Sequence, residues 1–193
     1  HIKKLPSDFN AIDIINNNEY DKIFIITEKL IYKLYQDNRF FLDSSFDLIF
    51  INNPQEEKNF EGTQFIIKEL MNANATRDSL LIGIGGGSVT DMVGFIASIY
   101  MRGIDHIFIP TTLLAMVDAS IGGKTGINFS GIKNLVGTFK NPNAVIIDFD
   151  FLNTLDYNYF VDGFADSLIS GIHRIIAIKI KISSNCCHVY ILP

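Results

Sequence analysis

The chain has 193 residues, of which 48% are hydrophobic and 16 are phenylalanine, material for one well-buried domain or for one and part of another. Sixteen Lys and Arg face 21 Asp and Glu, for a net charge of −5, and the cations are scattered, which argues against nucleic acid or an anionic membrane as partner. No window of about 18 uninterrupted apolar residues occurs and no signal-peptide pattern opens the chain, so a cytoplasmic location is expected.

In chain order, short apolar runs alternate with helical spacing. Residues 22–26 (Lys-Ile-Phe-Ile-Ile) read as a strand, and helical spacing follows over 28–35. Asp47–Ile51 is a second strand, stopped by Asn52, Asn53 and Pro54. Residues 61–74 read as an amphipathic helix with Phe65, Ile66, Leu70 and Met71 on its apolar side. A third strand over 79–84 runs into Gly85, Gly86 and Gly87. The stretch 88–101 is almost wholly apolar and predicts a buried helix. Strands at 106–109 and Ala144–Ile147 complete the pattern. Strands alternating with helices of 10–15 residues imply βαβ units and a parallel sheet, and uninterrupted Ile/Val/Leu strands imply cover on both faces. Cys186 and Cys187 are adjacent and lack metal-ligand spacing. His1, His106, His173 and His188 have no ligand spacing to one another and read as structural. From residue 172 onward there is no Asp or Glu, an abrupt change in composition. The alternation of Ile with Ala and Lys over 175–182 would suit an edge strand, and residues from 172 are expected to be poorly ordered or packed opportunistically.

Three stretches carry residues suited to chemistry. The first is the turn of Gly85, Gly86, Gly87 and Ser88, where a strand ends in glycines and opens a helix. Such a turn lets the backbone approach a diphosphate, and the helix N-terminus offers free N–H groups and partial positive charge. The spacing departs from G-x-G-x-x-G, so a plain strand-to-helix turn stands beside phosphate binding as a reading. Ser88 and Asp91 form a Ser-x-x-Asp capping box; Asp91 would otherwise face the ribose or carboxamide of a nicotinamide, and both can hold.

The second stretch is Pro110-Thr111-Thr112-Leu113-Leu114-Ala115, with Asp118. The threonines follow a strand at the carboxyl edge, where open α/β sheets take ligands. Their hydroxyls suit phosphate or ribose, or cap a helix over 113–119. Asp118 is the lone acid of an apolar stretch, a charge that calls for a partner or a ligand. The third stretch is Gly122-Gly123-Lys124-Thr125-Gly126, followed by Lys133 and Asn134. Glycine loops bring an ammonium close to an oxyanion. The pattern is not a Walker A loop, because residue 119 is Ala. A solvated loop lysine is the plain alternative for each cation.

Taken together, the stretches 85–91 (Gly-Gly-Gly-Ser-Val-Thr-Asp), 100–103 (Tyr-Met-Arg-Gly), 109–114 (Ile-Pro-Thr-Thr-Leu-Leu), 117–126 (Val-Asp-Ala-Ser-Ile-Gly-Gly-Lys-Thr-Gly) and 133–137 (Lys-Asn-Leu-Val-Gly) resemble the 3-dehydroquinate synthase family, in register from about residue 20 to about residue 171. The resemblance implies a Rossmann-like, doubly wound, mostly parallel sheet followed in the family by an all-α metal-binding domain. It implies a sugar-phosphate cyclase of the shikimate pathway that converts 3-deoxy-D-arabino-heptulosonate 7-phosphate to 3-dehydroquinate and phosphate. The implied cofactors are NAD and a divalent metal, zinc or cobalt, in a cytosolic homodimer or a larger fused polypeptide.

Carried over by position, Gly86, Gly87 and Ser88 fall on the pyrophosphate turn. Asp91, Thr111, Thr112, Leu114 and Asp118 match NAD contacts, Asp118 lying also near the substrate. Thr27, Glu28 and Glu57 match adenine-ribose contacts. Lys124, Lys133 and Asn134 match substrate-binding positions, the two lysines counted with the cofactor site as well. Asp166 stands where the family has a metal-binding Glu. Three departures accompany these matches: Asp166 is one methylene shorter than that Glu, Ile169 replaces a substrate-binding lysine, and Phe60 replaces a basic residue. The family's two metal-binding histidines lie in its C-terminal domain, which this chain is expected to lack. Residues 1–160 are therefore expected to form the NAD-binding domain and 161–193 a truncated start of the helical one, with an atypical tail. Sister cyclases making 2-deoxy-scyllo-inosose or 2-epi-5-epi-valiolone, iron-dependent alcohol dehydrogenases, and a non-catalytic NAD-binding module are the alternatives.

Overall fold

The computed structural model describes residues 20–38, 40–169 and 188–190, with side chains up to residue 165. A six-stranded sheet has the order β2-β1-β3-β4-β7-β8. The strands are β1 (Ile23–Glu28), β2 (Asp47–Ile51), β3 (Leu80–Gly85), β4 (Asp105–Pro110), β7 (Ala144–Ile147) and β8 (His188–Tyr190). All neighbours pair in parallel except β7 and β8. The chain winds outward from β1 to β2, then returns past β1 to β3, β4 and β7. That reversal makes the gap between the ends of β1 and β3 the topological switch point, where open α/β sheets take ligands.

The central strands need no polar alternation because both faces are covered. Every residue of β3 and β7 is buried, and Phe24, Ile26, Leu80, Leu81, Ile82 and Ile84 pack with the flanking helices in one core. The helices are α1 (Lys29–Tyr35), α2 (Pro54–Glu57), α3 (Phe60–Asn72), α4 (Gly87–Ile99) and α5 (Tyr157–Ile169). The apolar stretch at 88–101 is indeed a buried helix, ending in a short 3-10 turn, Tyr100–Arg102. In α3 the expected face is corrected: Gly62, Thr63, Ile66 and Leu70 are buried, while Phe65 and Met71 are exposed. The stripe that faces the core follows the i, i+4, i+8 progression from Gly62 through Ile66 to Leu70, and Phe65 and Met71 fall off it.

The largest difference from expectation is an antiparallel hairpin, β5 (Lys124–Phe129) and β6 (Ile132–Phe139), which forms a second sheet against α4. It takes in both stretches expected to be loops. Helix α4 approaches it so closely that a Cβ at Gly94 would lie 2.5 Å from Thr125 Cγ2. The Thr125 and Thr138 hydroxyls lie 2.7 Å apart across the hairpin, and Thr138 donates at 2.8 Å to Ser98 on α4. Lys140 donates to the carbonyls of Ala97 and Ile104 and so caps the end of the same helix.

Of the tail, β8 pairs antiparallel at the sheet edge. Residues 170–187, with His173, Cys186, Cys187 and the expected edge strand at 175–182, lie outside the described residues, as does His1. Phe164 is exposed on α5; the side chain of Leu168 and residue Ile172 lie outside the described set. No described helix is long and apolar enough to cross a membrane.

Candidate functional site at the carboxyl edge

The two sequence-predicted turns meet at one edge of the sheet. Thr111 donates its backbone N–H to Gly85 O at 2.9 Å, and a Cβ at Gly86 would stand 3.2 Å from Thr112 Cγ2. A Cβ at Gly87 would stand 3.3 Å from Ala119 Cβ. Glycine thus keeps open the floor between the start of α4 and the Thr112–Ala119 segment, where a ligand's backbone-bound group would lie. Helix α4 begins at Gly87 with Gly86 as N-cap. Its first intrahelical bonds come from Val89 and Thr90 onto Gly86 O, leaving Gly87 and Ser88 among the amides that the helix cannot satisfy itself.

This start corrects the capping box. Ser88 is the second helical residue, no side chain caps the helix, and Asp91 is engaged elsewhere. Thr112 does cap: its Oγ1 accepts from Ala115 N at 3.2 Å. The chain beyond it winds as a π-helical turn, Ala115–Ala119, a rare element frequent at functional sites. Leu114 is half-buried there, and α5 crosses at Gly163, where a Cβ would lie 2.6 Å from Leu114 N. Asp118 is exposed on this turn. The expectation that it needs a partner as a buried charge is therefore overturned, since water solvates it. It lies near enough to Asp91 for the two carboxylates to repel.

Across the switch point, Glu28 accepts the backbone N–H of Gly86, and burial pushes its carboxyl above the usual range. Thr27 beside it is fully buried and its hydroxyl has no protein partner among the described residues; the same is true of Ser120. Glu57 Oε1 accepts from Asn52 N at 3.1 Å and Asn53 N at 2.9 Å, closing the turn after β2.

The residue the sequence reading missed is Lys58. It is 6% exposed, and its ammonium lies 2.5 Å from Asp91 Oδ2 and 2.6 Å from Asn134 Oδ1. Burial lifts the Asp91 carboxyl above its ordinary range, with Lys58 opposing the rise and Asp118 adding to it. Asn134 sits in β6 with φ of +54°, a left-handed conformation that Asn tolerates. It donates its N–H to Asn128 Oδ1 at 3.0 Å, and Asn128 N donates to Lys58 O at 2.8 Å. The only sequence signal for Lys58 was a cation placed two residues before Phe60, where the family carries a basic residue.

Lys124 and Lys133 are exposed on the hairpin rather than held in glycine loops. Both are free to swing toward an anion, and neither is fixed to the Lys58 cluster. Asp166 lies on α5 three residues after Gly163, its side chain outside the described set. Among the described residues no group of three His, Cys, Asp or Glu comes together to hold a metal ion.

These features fit a dinucleotide: open amides at a helix N-terminus, a floor that Cβ atoms would fill, and buried hydroxyls without partners among the described residues. Residues 48–162 match the family model described as 3-dehydroquinate synthase N-terminal. A 3-dehydroquinate synthase of Clostridium tetani is 42% identical over 174 residues, covering 89% of this chain and 46% of the relative. The structure resembles 2-epi-5-epi-valiolone synthase from Streptomyces hygroscopicus, solved with NAD+ and Zn2+ bound, with a TM-score of 0.76, 30% identity, and coverage of 87% of this chain and 47% of that one. It shares a fold, at a TM-score of 0.70 and 22% identity over 85% of this chain and 43% of the other, with a 2-deoxy-scyllo-inosose synthase complexed with carbaglucose-6-phosphate, NAD+ and Co2+. The chain spans about half the length of the curated relatives it matches. It belongs to the 3-dehydroquinate synthase family, matching the family's N-terminal model.

Proposed function

We propose that this chain is the cofactor-binding part of a 3-dehydroquinate synthase, the enzyme that turns 3-deoxy-D-arabino-heptulosonate 7-phosphate into 3-dehydroquinate and phosphate. The observation that carries the reading is the meeting of the Gly86–Gly87 floor with Thr112 and with Glu28 at the carboxyl edge of the sheet. Gly87 and Ser88 amides take the diphosphate of NAD, with the helix end supplying partial positive charge. Thr111, Thr112, Leu114 and Asp91 flank the nicotinamide half, while Thr27, Glu28 and Glu57 take the adenosine ribose.

When bound, NAD supplies reversible hydride acceptance from a substrate hydroxyl, which acidifies the neighbouring C–H. The chain's own residues do the positioning. Lys124 and Lys133 reach from the hairpin as mobile point charges for substrate oxyanions and phosphate. Asn134 offers an amide, and Asp118 accepts a hydrogen bond from substrate or cofactor.

The family's zinc or cobalt would take Asp166 as one ligand. The described residues do not assemble the three protein ligands that metal catalysis requires, so no step is derived through it. Residues 1–160 are read as the cofactor-binding unit and 161–193 as the start of another. A cytoplasmic location and a homodimeric complete enzyme belong to the same reading, as does the absence of nucleic-acid or membrane partners.

The test is phosphate release from the heptulosonate phosphate with NAD and added zinc or cobalt. The expected result is weak NAD binding and no release above background. Release that disappears in Lys124→Ala would show that the described residues suffice for turnover. The likeness to 2-epi-5-epi-valiolone synthase favours a sister cyclase as second reading; identifying the product of the complete enzyme, 3-dehydroquinate or 2-epi-5-epi-valiolone, separates the two.

A further inference from the structure

Lys58 joins the two sides of the site. Its backbone is pinned by Asn128 N, and α2 and α3 fold back on each other so tightly that a Cβ at Gly62 would lie 2.0 Å from Glu57 O. The side chain therefore enters the protein from a fixed anchor. Its ammonium reaches α4 at Asp91 and the hairpin at Asn134, with distances of 2.5 and 2.6 Å. At Asp91 only Oδ2 is committed to Lys58, which leaves Oδ1 to a donor arriving from the cleft. At Asn134 the amide that Lys58 holds belongs to a residue in a left-handed conformation at an irregularity in the hairpin register, between Ile127 and Phe129 on the facing strand. Hydrogen bonds to a shared charged centre orient one another. A donor that fixes the Asp91 carboxylate thus fixes the ammonium, and the ammonium fixes the Asn134 amide. Phe60, two residues on, is half exposed and packs edge-on against Phe129 with ring centres 5.7 Å apart, so it supplies shape to this corner and no charge.

We infer that Lys58 is a positioning residue that couples Asp91, on the cofactor side, to Asn134, on the hairpin side, so that filling the glycine turn orders the hairpin before substrate arrives. The inference rests on the proposed NAD site. Coupling of this kind is reciprocal and commonly amounts to a factor of about five or more.

The experiment is amide hydrogen exchange of the hairpin, with and without saturating NAD, in the wild-type chain, in Lys58→Met and in Asn134→Gly. The glycine variant keeps the left-handed backbone and removes only the amide, so it serves if Lys58→Met fails to fold. In the wild type, NAD should slow exchange at residues 128–135 by about fivefold. In either variant that response should fall below about twofold while NAD still binds. An undiminished NAD response in both variants would overturn the coupling and leave the NAD site standing. Binding to the wild type without a hairpin response would do the same. Failure of the wild type to bind NAD would overturn the proposed function, and the coupling with it.

Discussion

The parallel sheet and the β5–β6 hairpin are built from different materials and do different work. In the sheet, each central strand is a short run of Ile, Leu, Phe and Val with both faces covered. Its residues hold position through burial, at roughly 25 cal/mol per Å² of apolar surface removed from water. The hairpin has Gly126 opposite Gly137, exposed Ile132, Leu135 and Phe139, and one fully buried aliphatic side chain, Ile127. It is held by Gly94 on α4, by a relay of hydroxyls from Thr125 through Thr138 to Ser98, and by the Lys58 cluster. A rigid sheet edge thus fixes the glycine turn proposed for the cofactor, while a lightly held ribbon carries the two exposed cations proposed to meet a substrate.

The contrast is broken most directly by truncating one side chain in each region. Ile82→Ala in the middle of β3 should cost about 2–5 kcal/mol in chemical denaturation. Phe139→Ala, at a position 87% exposed, should stay within about 0.5 kcal/mol. Comparable losses would mean that the hairpin shares the core after all.

Lys58→Met sharpens the account of the hairpin's attachment. It leaves Asp91 without its partner and should cost about 1.5–3 kcal/mol, the range for hydrogen bonds to charged groups. Adding Asp91→Asn in the same chain should recover part of that loss, because the uncompensated charge goes with it. A double variant whose loss is the plain sum of the single ones would show that the pair is not coupled.

The sheet's own weak point is His106. It lies fully buried in β4 beside Phe108, and neither ring nitrogen has a hydrogen-bond partner among the described residues. Burial lowers its pKa from 6.5 to about 3, with Lys140 nearby acting the same way and Asp105 opposing. The unfolded chain takes up a proton below about pH 6.5 that the folded chain refuses until about pH 3. Stability is therefore full above that window and falls as pH drops through it. The loss attributable to this residue should reach about 1.4 kcal/mol one unit below the unfolded pKa. His106→Leu should remove that part of the pH dependence, read as denaturation midpoints at pH 7.5 and 5.5. An unchanged slope would locate the acid sensitivity elsewhere.

The same contrast decided what could be read from the sequence. The strands of the sheet were legible because Ile-Phe-Ile-Ile and Ala-Val-Ile-Ile admit few alternatives once they recur between helical stretches. The glycine turn and the two threonines were legible because their positions relative to those strands set the edge they occupy. The hairpin was not, since glycines at 122, 123, 126 and 131 mark loops as readily as strands, and its exposed apolar residues do not alternate. Lys58 was hidden for a different reason. A lysine in a polar run reads as solvated, and only the fold-back of α2 on α3 drives it inward to Asp91. Asp118 misled in the opposite sense, because an acid among apolar neighbours in sequence turned out to sit on the outer side of a π-helical turn.

The central claim is that the start of α4 is a cofactor floor kept open by glycine. Calorimetric titration of NAD into the wild-type chain and into Gly87→Val tests it, with thermal unfolding of both as the check on folding. The branched side chain would press on Ala119, 3.3 Å from the new Cβ, and cover the first amides of the helix. Binding to the wild type and a loss of at least about tenfold in the variant, equivalent to about 1.4 kcal/mol, is the predicted result. Equal affinity of two well-folded chains would contradict the account.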